Sequence, residues 1–144
     1  MARTAAVVRG LEGDHAALLR AHLLDTTERL LAGRSPATLT TRRIARAADV
    51  SDGVLYNHFA DKDALVLAAM TRRFTALLDR FRASLPKAGR DSLADNLARI
   101  ASAALELHLE LLPLVGALLS DDALLRRFLL EIHTEDVGAA EISG

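Results

Sequence analysis

The sequence predicts an all-α protein, an amino-terminal three-helix unit joined by a long helix to a second all-helical part. Three observations carry that expectation. Leucine and alanine dominate the chain, and strand signals are nearly absent: no sustained apolar–polar alternation, and no Asn-Gly or Asp-Gly turn between β-branched runs. Helix-start residues recur just ahead of apolar-periodic runs, at Thr40, Ser51, Asp61 and Ser120. "GRSPAT" and "LPKAGR" interrupt those runs with glycine and proline, where helices end.

The first helix is expected over 15–32, with Leu19, Leu23, Leu24, Thr27, Leu30 and Leu31 on its inner face. A second is capped by Thr40 and a third by Ser51. Leu39 and Val50 stand ahead of these caps at hydrophobic-staple spacing from Ile44 and Leu55. Ala48-Asp49-Val50 between them has room only for a tight turn. Asp61 caps a fourth helix over 62–85, with Leu65, Ala69, Phe74, Leu77, Leu78 and Phe81 as its stripe. A fifth runs from Asp91 to Leu112. Pro113 opens a sixth over 113–119, where a missing N–H costs nothing in a first turn. Ser120 caps a seventh over 121–133, and the tail "TEDVGAAEISG" reads as loop.

With 144 residues, the chain is one domain or two small ones sharing a long element. Its 51% hydrophobic and 26% charged residues argue against disorder, and its longest unbroken apolar run, Leu111 to Leu119, is far short of a membrane span. The amino terminus has no hydrophobic block of secretory-signal length, and cysteine is absent, which removes disulfides and thiolate metal sites. A cytoplasmic location is the expectation. The net charge of −1 conceals an asymmetry: residues 1–82 hold thirteen basic and nine acidic residues, and residues 83–144 hold five and ten. Any contact with a polyanion would therefore belong to the front half, although unevenly charged solvated surface accounts for the asymmetry as well.

A helix capped at Thr40, a tight turn and a helix capped at Ser51 form a helix-turn-helix. Ala45 is small where the helices cross, and Ile44, Ala48, Val50 and Leu55 supply the apolar contacts. The turn position commonly given to glycine carries Asp49, and a left-handed backbone is expected there; aspartate tolerates it better than most residues. "LTTRRIARAADVSDGVLYNHFADKDAL", residues 39–65, resembles the DNA-binding signature of the tetracycline-repressor (TetR) family. With the first helix, the resemblance covers roughly residues 15–80. It implies a DNA-binding domain at 1–62 and a helical effector-binding and dimerisation domain at 63–144. Family members end in two antiparallel helices that make a dimer interface. No counterpart precedes Gly144, so the second domain is expected to be incomplete at its carboxy end.

The first turn after Ser51 presents Asp52, Gly53 and Val54 to the major groove, Gly53 allowing close approach and Val54 a thymine-methyl contact. Leu55 and Phe59 turn inward. The resemblance places Tyr56 and His58 at phosphate, with Asn57 at a base edge or the backbone, and matches Lys62 to a phosphate-binding lysine. Thr40 and Thr41 open the second helix, whose free N–H groups favour phosphate. Arg42 matches an arginine that reads guanine. For Tyr56, packing of the ring and contact through the hydroxyl are compatible; for the individual base readers, packing and reading stay open.

An enzyme is not expected. His22, Asp25 and Glu28 stand three apart along one helix and can be drawn as a metal face, but such spacing usually marks solvated surface. His108 and His133 lack carboxylate–histidine spacing, and no phosphate loop or nucleophile motif occurs. No cofactor and no metal are expected. In the back half, Met70, Phe74, Leu107, Leu111, Val115, Leu118, Leu119 and Phe128, with His108 as a polar handle, can surround an apolar effector or serve as core. The resemblance implies a homodimer on a double-stranded operator, no membrane partner, and release by a small molecule. The alternative is a helical small-molecule-binding or scaffold protein without operator recognition, which Asp49 and Asp52 keep in play.

Overall fold

A computed structural model describes residues 2–32, 34–86, 89 and 91–140, and the side-chain surroundings of those between 13 and 131. The described residues form six α-helices and one 3-10 turn, with no strand among them: α1 Ala2–Leu31, the turn Pro36–Thr38, α2 Thr41–Ala48, α3 Asp52–His58, α4 Lys62–Ser84, α5 Leu93–Leu119 and α6 Asp122–Ala140.

The caps fall where the sequence puts them, with one exception. Thr40 Oγ1 accepts from Arg43 N at 3.2 Å, Ser51 Oγ from Val54 N at 3.3 Å and Asp61 Oδ1 from Ala64 N at 2.6 Å. Each satisfies an N–H that the first helical turn leaves without an intrahelical partner. The exception is α6. Ser120 lies in right-handed helical geometry as the C-cap of α5, and Asp121 is the cap, accepting from Ala123 N and Leu124 N at 3.1 Å each.

Three further expectations change. The break expected at Pro113 is absent, and α5 continues through it. Pro113 is exposed, so water can solvate the carbonyl whose hydrogen bond the proline removes. The stretch read as a loop after residue 133 belongs to α6 as far as Ala140, and residues 141–144 lie outside the described part. Leu39 does not staple to Ile44; it is buried with Val66, Leu67 and Met70, while Ile44 belongs to a different cluster. As one helix of 27 residues containing an 18-residue window of mean hydropathy 1.5, α5 is long and apolar enough to cross a membrane. Its Leu114 and Leu118 are nevertheless buried against protein, and its Glu110 pairs with Arg80 and Arg73 of α4.

Two apolar clusters meet on α4. The first gathers Leu23 and Leu24 of α1, Ile44, Ala45 and Ala48 of α2, Leu55 of α3, Phe59, and Leu65 and Ala69 of α4. The second gathers Leu39, Val66, Leu67 and Met70 with Leu114 and Leu118 of α5 and Leu124 and Phe128 of α6. At 25 cal/mol per Å², a buried leucine contributes roughly 1.5–3 kcal/mol, so most of the stabilisation lies in these contacts. Arg72 adds a polar tie: its Nε donates to Glu28 Oε1 at 2.7 Å and its second nitrogen to Asp25, binding α4 to α1. The carboxylates read from sequence as solvated surface are thus bound between helices.

The α2–α3 turn takes the left-handed form expected. Asp49 has φ 57° and ψ 44°, its N–H directed at the carbonyls of Ala45 and Arg46, and Val50 N bonds Ala45 O at 3.0 Å. Its carboxylate has no hydrogen-bond or ion-pair partner among the described residues that would compensate the strained backbone. Asp49→Gly is therefore expected to raise the unfolding free energy by about 0.5–1 kcal/mol. Urea denaturation of both proteins checks it, and a loss of stability would reveal an aspartate contact.

Asp61 supports a second prediction. The Ala64 N–H holds its carboxyl below the usual carboxylate range, with the Arg127 charge reinforcing this and partial burial opposing it. A depressed folded pKa gives stability that is full above the unfolded value and lost as pH falls through the folded one. Asp61→Asn keeps a capping oxygen but loses the charge. It should be less stable than the parent near pH 7, with the difference shrinking as pH falls below the ordinary carboxylate range and through the depressed Asp61 value. Thermal unfolding across that range measures it; a constant difference would mean that the cap alone matters.

Candidate nucleic-acid interface

The first cluster buries the inner sides of α2 and α3 and leaves their outer sides in water. Leu55 and Phe59 point inward, 0% and 5% exposed. On the other side Asp52, Gly53, Tyr56 and Asn57 are exposed, with Val54 and His58 half-buried. Tyr56 is 52% exposed, its ring only partly in contact with the fold. A Cβ built on Gly53 meets nothing closer than Ser51 Oγ at 3.8 Å, an ordinary contact. Packing within the protein therefore does not require glycine there, and the space opens outward.

Thr40 and Ser51 cap α2 and α3 with exposed hydroxyls, and Thr41 is half-buried as the first residue of α2. The N-termini of α2 and α3 carry the partial positive charge that backbone N–H groups give a helix start. Arg42 is highly exposed, its side chain 87% accessible, and its Nε lies 4.0 Å from Asp52 Oδ2. This pair spans α2 and α3 in solvent, so it holds Arg42 only loosely. Lys62, half-buried at the start of α4, has Asp63 Oδ1 3.6 Å from its Nζ. Of the eleven residues singled out in the sequence, eight thus fall on the caps or first turns of α2, α3 and α4, and Tyr56, Asn57 and His58 fall in the last turn of α3.

Arg20 of α1 escaped the sequence reading. Its guanidinium lies over the Phe59 ring, 4.3 Å from the centroid, and donates to His58 O at 3.2 Å. A cation at the carboxy end of α3 meets the negative end of the helix dipole. Arg20 therefore anchors α3 from behind. It lies 38 residues from its hydrogen-bond partner, and no local pattern marks it. His22 acts similarly on α2, its Nε2 3.0 Å from Ala48 O.

The nine residues named for an effector, Leu118 of the second cluster included, do not enclose one cavity. Phe74 and Phe128 meet edge to face with ring centroids 5.8 Å apart, Leu111 packs on the second cluster, and Leu107 lines a recess of about 60 Å³. His108, Val115 and Leu119 are exposed, and the side chain of His133 lies outside the described set. Only Met70 of the nine borders the large cleft, about 690 Å³, between α1, α4 and α5. Half of that cleft's wall is α1, which the sequence reading assigned wholly to the other domain.

Residues 23–69 match the family model described as bacterial regulatory proteins, tetR family. Over 70 residues the chain is 37% identical to the HTH-type transcriptional repressor Rv1474c of Mycobacterium tuberculosis. That match takes in 46% of this chain and 37% of the repressor, so the chain spans well under two thirds of that relative. A crystal structure of a tetR family transcription regulator from Shewanella sp. PV-4 superimposes with a TM-score of 0.56 at 23% identity, covering 88% of this chain and 71% of that one. At that identity the likeness concerns the fold. Residues 23–69 thus carry a helix-turn-helix similar to that of the tetR family of bacterial regulatory proteins.

Proposed function

We propose that the protein is a transcriptional repressor that binds a near-palindromic operator as a homodimer and leaves it when a small-molecule effector binds. The observation that carries this reading is the exposed, capped first turn of α3, flanked by Arg42, Tyr56 and Lys62 and backed by a buried apolar face. Rigid backing matters because a recognition helix must enter the groove without refolding. In a dimer the two copies of α3 would lie about 34–36 Å apart, one turn of B-DNA. The front half carries the basic balance such a contact needs.

In this reading the contacts divide by chemistry. The N-termini of α2 and α3, with Tyr56, His58 and Lys62, meet phosphates and set the register. Val54, Asn57 and Arg42 face base edges. Arg42 leaves Asp52 to reach guanine O6 and N7, which its planar fork matches with two parallel hydrogen bonds. Release follows from α4, which begins at Lys62 and is built into both apolar clusters. An effector that prefers a different seating of α4 changes the distance between the two recognition helices.

A second reading, a helical small-molecule binder or scaffold without operator recognition, rests on Asp52, whose exposed carboxylate faces the same side as the phosphate contacts. Selection from random duplex DNA separates the two. An enriched palindrome whose binding weakens with salt supports the repressor, and its absence supports the scaffold.

Arg42 and Lys62 are expected to fail differently. Arg42→Ala should cost about 1–3 kcal/mol on the selected operator and little on operators already altered at the contacted base pair. Lys62→Ala should weaken all duplexes alike and lower the salt slope by about one. Titrations of both variants on an operator series at several salt concentrations measure this. Uniform weakening by Arg42→Ala would reassign it to phosphate and leave sequence reading to Val54 and Asn57.

A further inference from the structure

The cleft between α1, α4 and α5 has a built interior. Its floor is Ala69 and Met70 of α4, both essentially inaccessible to water, with the buried Leu114 of α5 beside them. One wall is the α1 face His22, Asp25, Glu28 and Arg29, with Ala32 just past the helix end; the other is the α5 face Glu110, Pro113 and Ala117. Spacings of three and four residues put each set on a single side of its helix. Small side chains at Ala32, Ala69 and Ala117 leave the space unfilled, and about 690 Å³ lies within the range of small-ligand sites.

The charges on the walls are unequal in their commitments. Every carboxylate there already has a cation: Asp25 and Glu28 hold Arg72, and Glu110 holds Arg80 and, at 3.8 Å, Arg73. Arg29 differs. Its Nη2 donates to the hydroxyl of the buried Thr26 at 3.1 Å, which fixes the side chain, and no carboxylate among the described residues comes within ion-pair range of it. A positioned guanidinium with unused donors stands beside an apolar floor. Arg73, only loosely paired, lines the same space.

We propose that this cleft binds a small carboxylic acid with an apolar body, its carboxylate on Arg29 and its chain over Met70 and Leu114. A guanidinium receives a carboxylate through two parallel hydrogen bonds, and the chain removes apolar surface from water. An amine finds no open carboxylate, and an alcohol leaves the Arg29 charge without a counter-ion. The site deepens the proposed function and rests on that reading only for its effect on DNA; the binding claim stands on the cleft.

Met70 gives a direct readout, because the sequence has two methionines and the other is Met1. In protein labelled with 13C at the methionine methyls, octanoate should shift the Met70 resonance saturably, and octylamine and octanol should bind at least tenfold more weakly. Arg29→Gln should weaken octanoate at least tenfold, and Arg29→Lys should restore part of that loss. Ala32→Phe, at an exposed position, should fill the cleft without entering the core and abolish the shift. An unmoved Met70 resonance, equal binding of the three compounds, or indifference to Arg29→Gln would overturn the proposal. Octanoate is then added to the complex with a selected operator. Loss of DNA affinity through Arg29 assigns the cleft to effector control; a Met70 shift with unchanged DNA affinity overturns that control while leaving the site. Failure to select any operator counts against the repressor reading alone, since the Met70 titration needs no DNA.

Discussion

The structure depends on α4 being buried on more than one side at once. Leu65, Val66, Leu67, Ala69 and Met70 are each at most 1% exposed, and five buried positions within six residues cover most of a helix circumference. Leu65 and Ala69 complete the cluster beneath the helix-turn-helix, and Val66, Leu67 and Met70 complete the cluster shared with α5 and α6. Neither cluster closes without this helix. A boundary between residues 62 and 63 is therefore a division of labour, since the two parts share one wall. Close packing also makes α4 a poor candidate for gradual bending.

What was legible in the sequence was local. Thr40, Ser51 and Asp61 announce their helices because a cap is a contact between residues three apart. The left-handed turn at Asp49 was legible because Ala48-Asp49-Val50 leaves too little chain for any other connection. The inward direction of Leu55 and Phe59 followed from helical period. Those short-range rules put Thr40 and Thr41 at the start of α2 and Ser51, Asp52, Gly53 and Val54 at the start of α3, without any knowledge of tertiary contacts.

What escaped depends on neighbours far along the chain. Asp25 and Glu28 look like solvated surface until Arg72 arrives from 47 and 44 residues away. Arg20 over Phe59 and His22 against Ala48 belong to the same class. Pro113 was misread for a different reason: proline is favoured in a first turn and disfavoured in a helix interior, and the local rule cannot know that the affected side of α5 faces water. The effector candidates failed to assemble because apolar residues of α5 and α6 were grouped by composition. The cleft is defined by where helices fail to touch, and small alanines, which carry little signal, create it.

Arg72 and Arg73 show how adjacent residues divide the work of α4. Successive positions on a helix point about 100° apart, so one guanidinium turns to Asp25 and Glu28 of α1 and the next toward Glu110 of α5. The first pairing is close and doubled, while the second is loose and shared with Arg80. The helix is thus tied by ion pairs to the element beneath the helix-turn-helix and, through Arg80, to the one beyond it. Of the three arginines Arg73 is held least, so a ligand between α1 and α5 would perturb its contact first, whereas displacing Arg72 would leave the partly buried Glu28 without a cation. Charge therefore couples α1 and α5 across α4 in parallel with the two apolar clusters, and a shift of either outer helix is felt on both sides of the helix they share.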